Sequence, residues 1–142
     1  MPILSDKAGV AAVEFAMVLP ILCLVLLGIL DGWSYVTSSL SMRAGVKTAA
    51  NLIMEGSAED AVTQAAAIAS WENRPADGQV TLSRIYMCGA TVVDASTLLC
   101  SGQKARSIYV QIQASATWVP PIAFGAFAAS TTIGHQVVIR VR

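Results

Sequence analysis

The sequence predicts an α+β protein: a long N-terminal helix crosses a membrane and extends into a water-facing domain. That domain has a second helix and an antiparallel sheet of three or more strands. Three observations predict it. An unbroken apolar run lies near the N-terminus, helical periodicity follows on both sides of Gly56, and the period changes to two from about residue 79.

The apolar run is Val10–Leu30, VAAVEFAMVLPILCLVLLGIL. Between Lys7 and Asp31 only Glu14 carries a charge. As a helix it extends about 31 Å, close to the roughly 30 Å hydrocarbon core of a bilayer. It exceeds the roughly 7–15 residues of a signal-peptide core, and no small-x-small cleavage site follows. Composition agrees: 55% of the 142 residues are hydrophobic and 13% are charged, against roughly a quarter charged in ordinary soluble domains. Nine basic residues balance nine acidic ones, so nothing in the charge suggests nucleic acid. Lys7 precedes the span while Arg43 and Lys47 follow it, and charge alone therefore sets no orientation. The simpler arrangement is a short cytoplasmic N-terminus with residues 31–142 in the periplasm.

Beyond the span, Trp33, Val36, Leu40 and Ala44 recur at helical spacing, with Ser38, Ser39, Arg43 and Lys47 largely on the other side. The helix is expected to stop near Met54, before Glu55-Gly56. Ser57-Ala-Glu-Asp60 has the form of a capping box opening a second helix, with the apolar stripe Ala61, Val62, Ala65, Ile68 and Ala69. That helix ends before Pro75 and the Asp77-Gly78 turn. From Ile108 to Trp118 apolar and polar residues alternate without a break, placing Ile108, Val110, Ile112, Ala114, Ala116 and Trp118 on one face. Residues 133–141 repeat the pattern with Ile133, Val137, Ile139 and Val141 inward, and residues 79–88 form a weaker strand. Pro120–Ser130, with Phe124 and Phe127, is a loop that packs as a lid or stays exposed as a contact patch.

Candidate chemistry is sparse. His135 is the only histidine, which argues against multi-His metal sites and a Ser-His or Cys-His centre. Cys88, Cys100 and His135 lack zinc-ligand spacing. Gly45, Gly56 and Gly102 belong to no phosphate-cradling pattern. No cofactor, metal or enzymatic activity is expected. Cys88 and Cys100 lie at a separation that a disulfide can close, worth about 3 kcal/mol by loop entropy and suited to the periplasm. Cys23, inside the span, reads as a packing residue.

The residues that single this chain out are Gly9-Val10-Ala11-Ala12-Val13-Glu14-Phe15. A carboxylate in a membrane helix costs on the order of 2.5–3.5 kcal/mol near the centre, and less near the interface. Either Glu14 stretches toward the headgroups, or it has a partner. The string resembles the cleavage site of type IV pilin-like precursors, in which a membrane protease, the prepilin peptidase, cuts after a leader-terminal Gly and leaves Glu at the fifth mature position. The leader would be residues 1–9, the mature chain would begin at Val10, and the membrane helix would occupy residues 10–30. The longer string, with Gly9, Val13, Glu14, Phe15, Ala16, Pro20, Gly28, Asp31 and Gly32, resembles the TadE-like family of minor pilins (pseudopilins) of the tight-adherence pilus system. Lys7-Ala8 stands where relatives often have Arg beside the Gly, and Asp31 where Glu is common.

The resemblance implies a pilin-like domain and a role in pilus assembly, with surface adhesion and biofilm formation as its effects. It also implies the partners: the prepilin peptidase, a sister minor pilin, the major pilin, the inner-membrane assembly platform and membrane lipid. The place implied is the inner membrane, with passage into an extracellular pilus. The physical logic is independent of the family. Cleavage would create an α-amino cation at Val10, and Glu14 of one subunit can pair with the amino terminus of its neighbour and set axial register. Pro20 removes one backbone donor and kinks or loosens the helix, either as a tolerated transmembrane proline or as a flexible point for leaving the bilayer. The competing reading is a single-pass anchored periplasmic binding or accessory protein unrelated to pili, which would have no need of Glu14 at that depth.

Overall fold

The computed structural model describes residues 7–123, 125 and 129–141. Its elements are α1 (Lys7–Met54), α2 (Asp60–Ala69), β1 (Gln79–Cys88), β2 (Thr91–Val93), β3 (Leu99–Cys100), β4 (Lys104–Ala105), β5 (Ser107–Trp118) and β6 (Thr131–Arg140). The chain forms two compact units. One comprises the residues up to Tyr35 with Val119–Ser130; the other comprises Val36–Trp118 with the residues from Thr131 onward.

In the first unit α1 is a candidate membrane span, with a mean hydropathy of 2.7 in its most apolar window and none of that window buried. The helix continues through Pro20. Its far end, in the second unit, terminates as the sequence suggests. Gly56 takes φ +98°, a left-handed conformation that costs glycine little. Its amide donates to the Ile53 carbonyl at 3.1 Å, and the Ser57 amide to the Leu52 carbonyl at 3.0 Å. This is a Schellman closure of the final turn.

The second unit is an α+β fold. Its main sheet has the order β2-β1-β5-β6, and β3 pairs with β4 in a separate two-stranded ribbon. Neighbouring strands are antiparallel, with Val80 opposite Ala114 and Leu82 opposite Ile112 across β1 and β5. Ile112 faces Val137, and Ala116 faces Ile133, across β5 and β6. The alternation predicted along β5 is observed: Val110, Ile112, Ala114, Ala116 and Trp118 are buried, joined by Val80 of β1 and Ile133 of β6. Met42, Val46, Ala49, Ala50 and Ile53 of α1, with Ala67 and Trp71, complete this unit's buried apolar set. Thr81, Ser83, Gln111, Gln113 and Gln136 share the opposite parity with Ile85, Tyr109 and Val138, so the second face of the sheet is mixed, polar at one end and partly apolar at the other.

Four expectations need correction. Trp33, Val36, Leu40 and Ala44 are exposed, as are Arg43 and Lys47. The buried face of α1 in the second unit is instead Met42, Gly45, Val46, Ala49, Ala50 and Ile53. Close packing at Gly45 explains the choice. A Cβ there would stand 2.7 Å from the Ala67 carbonyl oxygen and 3.3 Å from the Trp71 Cβ, so the helices meet along their smallest residues. For the same reason α2 buries Thr63 and Ala67 and leaves Ala61, Val62, Ala65 and Ala69 exposed. Thr63 is satisfied there, since its hydroxyl donates to the Glu59 carbonyl at 3.0 Å and lies 2.9 Å from the Ser57 hydroxyl.

The capping box does not form. α2 begins at Asp60 behind Glu59, which makes no side-chain cap, because Asp60 is taken by Arg84 of β1 through contacts of 2.6–3.1 Å. Lastly, Val141 lies beyond β6 and is 43% exposed.

Candidate processing segment and assembly surface

Gly9, Val10, Glu14 and Phe15 lie together in the first turns of α1, and all are exposed. Val10 and Glu14 are four positions apart in a helix, so they lie on the same face. The carboxylate thus sits about one turn from the amide that a cut after Gly9 would convert into an amine. Val10 and Phe15 are each 62% exposed, and Val13, Met17, Val18 and Ile21 are similarly uncovered. A helix apolar on all sides and covered on none suits lipid or neighbouring helices. Cys23 is a free, exposed thiol on the same stretch. The predicted leader residues 1–6, together with Phe124 and Phe127, lie outside the described residues.

At the end of the span stands a residue whose task the sequence reading missed. Asp31 is fully buried, and its Oδ1 accepts the Ile122 amide at 3.0 Å. The carboxylate therefore holds the Pro120-Pro121-Ile122 stretch to the helix within the first unit. One signal was available beforehand: Asp31 closes an otherwise apolar run, and Val119–Ser130 contains no charge.

Elsewhere the charged side chains organise loops. Cys88 and Cys100 are joined by a disulfide, with Cα atoms 5.5 Å apart. Arg106 lies over the Tyr86 ring, 4.0 Å from its centroid. It also donates to the carbonyls of Ala95 and, at 3.0 Å, Thr97, pinning the segment that the disulfide encloses. Arg84 donates to Ala58 at 3.1 Å as well as to Asp60. The Asp60 hydrogen bonds, with its charge, raise the guanidinium pKa above its already high ordinary value, against a smaller desolvation effect. Asp77 accepts the Thr117 amide at 2.9 Å. Hydrogen bonding with Thr117, first the side chain and then this amide, holds its carboxyl below the ordinary carboxylate pKa.

His135 is half-buried on β6 opposite Ala114, on the strand's inward parity with Ile133. Among the described residues no group of three or more His, Cys, Asp or Glu side chains is placed to hold a metal ion.

Residues 9–51 match the TadE-like protein family. No curated protein and no solved structure matches the chain. The match begins at the Gly that precedes Val10 and Glu14, takes in the whole apolar stretch and Asp31, and ends just inside the last turn of α1. Over that segment, less than a third of the chain, the sequence is similar to TadE-like proteins.

Proposed function

We propose that the protein is a non-enzymatic minor pilin of a tight-adherence pilus. In this reading the N-terminus is cytoplasmic and the sheet domain periplasmic. Prepilin peptidase cuts after Gly9, and the mature subunit joins the assembling filament through α1. The observation that carries the reading is that the TadE-like segment, residues 9–51, falls on one unbroken helix with a largely uncovered apolar surface.

Two features of the helix support it. Glu14 is the only charge between Lys7 and Asp31; in a stagger of parallel helices it can pair with a neighbour's Val10 amine, neutralising both in a medium that solvates neither well. Farther along, Val36 and Leu40 are 47% and 57% exposed although the sequence places them on an apolar helical stripe. Covering such side chains contributes roughly 25 cal/mol per Å² removed from water. The partners on this reading are the peptidase, a sister minor pilin, the major pilin and the inner-membrane platform, with adhesion and biofilm formation downstream.

The test uses Leu40→Glu beside Glu14→Ala in cells that make the pilus. Leu40 is outside the core, so its variant should accumulate and keep wild-type thermal stability to within about 0.5 kcal/mol. Both variants should nevertheless be lost from the sheared pilus fraction and reduce surface attachment. Wild-type recovery of both in that fraction would sink the proposal.

A further inference from the structure

We infer that the Val119–Ala123 stretch docks onto the same membrane that α1 crosses, making a second, interfacial contact beside the span. The partner is the headgroup and upper acyl region of the bilayer. The inference rests on the membrane span and not on the pilus reading.

Depth is the first argument. Asp31 directly follows the apolar run that ends at Leu30, and each helical residue advances about 1.5 Å. The interfacial layer outside the hydrocarbon is roughly 5–8 Å thick on each side. Residues 31–35 therefore lie within it, and so does a group hydrogen-bonded to Asp31. The Ile122 amide is that group, at 3.0 Å.

Backbone chemistry is the second argument. Chain can enter a poorly hydrated layer only where its amides are satisfied. Pro120 and Pro121 have no N–H to satisfy, and the one Ile122 has is taken by Asp31. Three consecutive residues thus bring no bare donor to the lipid.

Side chains supply the third. Val119 is 67% exposed and Ile122 40%, and no charged residue occurs from Val119 to Ser130. On the helix, Trp33 is 70% exposed and Tyr35 follows it; both are aromatic types that favour the membrane–water boundary. No further charge appears on the helix until Arg43, about 18 Å beyond Asp31.

The test places an NBD fluorophore at Ile122→Cys in a Cys23→Ser background, with Gln113→Cys as the aqueous control on the sheet. The full chain is reconstituted at low density in phosphatidylethanolamine–phosphatidylglycerol vesicles carrying a shallow nitroxide lipid. The label at 122 should be blue-shifted and quenched at least threefold more than the label at 113. Adding Asp31→Ala should abolish most of that difference, whereas Asp31→Asn, which keeps an acceptor oxygen, should retain it. Equal quenching at 122 and 113 overturns the inference. If chain-to-chain crosslinking through Ile122→Cys accompanies that result, a neighbouring subunit covers the stretch instead of lipid. Should Asp31→Ala fail to fold, the comparison of 122 with 113 decides alone.

Discussion

Replacing Gly45 by Ala puts the α1–α2 packing to a direct test, because the two physical effects have opposite signs. In an unobstructed helix interior the substitution would stabilise by about 1 kcal/mol through backbone entropy. Here the added Cβ would lie 2.7 Å from the Ala67 carbonyl oxygen and 3.3 Å from the Trp71 Cβ. The nearer obstacle is backbone, so relief requires α2 to shift rather than a side chain to rotate. Overpacking of this kind costs typically 1–3 kcal/mol, and a backbone obstacle puts this case at about 2–3 kcal/mol. The net expectation is a loss of about 1–2 kcal/mol, which in a domain of this size lowers Tm by roughly 5–10 °C. Thermal unfolding followed by far-ultraviolet circular dichroism gives the Tm, and the near-ultraviolet signal should change because Trp71 lies beside the new methyl. Adding Ala67→Gly should not restore stability, since the obstacle is the carbonyl and not the alanine side chain. A Tm at or above wild type for Gly45→Ala would refute the packing argument.

Two further outcomes follow from the second unit. Reducing the Cys88–Cys100 bridge, which closes a sequence separation of 12, should remove about 3 kcal/mol; a melt with and without reductant should show Tm falling by about 10 °C or more. Asp77, whose carboxyl is held below its ordinary pKa by Thr117, stays ionised to lower pH in the folded chain than in the unfolded one. Its contribution is therefore complete above the unfolded carboxylate value, near 3.9, and is lost as the pH falls through the lower folded value. The Tm gap between wild type and Asp77→Asn should accordingly close below about pH 4, and a gap that persisted unchanged to pH 2 would contradict that assignment.

Period and punctuation made most of the fold legible in advance. The alternation from Ile108 to Trp118 fixes which face of β5 is buried, because a strand can bury only every second residue. Gly56 fixes the end of α1, because the closing turn needs a left-handed residue there. What misled was the identity of the buried helical faces. Leu40 and Val62 are larger and more apolar than Gly45, Ala67 or Thr63, yet the latter are buried. Close approach of two helices rewards small residues, and a periodicity argument weighted by hydrophobicity cannot see that. Asp60 was misassigned for a related reason: a carboxylate with the spacing of a cap also suits an arginine from a strand far along the chain, and the geometry of Arg84 decided it. The short β2, β3 and β4 carry too few residues for any period to register.

At the candidate site the balance is similar. Gly9, Val10, Glu14 and Phe15 stand out locally, since one charge in an apolar run is conspicuous without any fold. The role of Asp31 was not legible, because its partner, the Ile122 amide, lies 91 positions away.

The proposed processing of a pilus subunit would be recorded at the N-terminus of the protein in the cell. Intact mass and N-terminal sequencing should be run on membrane and sheared-pilus fractions, with and without prepilin peptidase. The account predicts a chain beginning at Val10 wherever the peptidase is present and an uncut chain that retains residues 1–9 where it is absent. A chain that retains residues 1–9 in both strains would contradict it and would leave Glu14 as a membrane-edge carboxylate on an ordinary anchor.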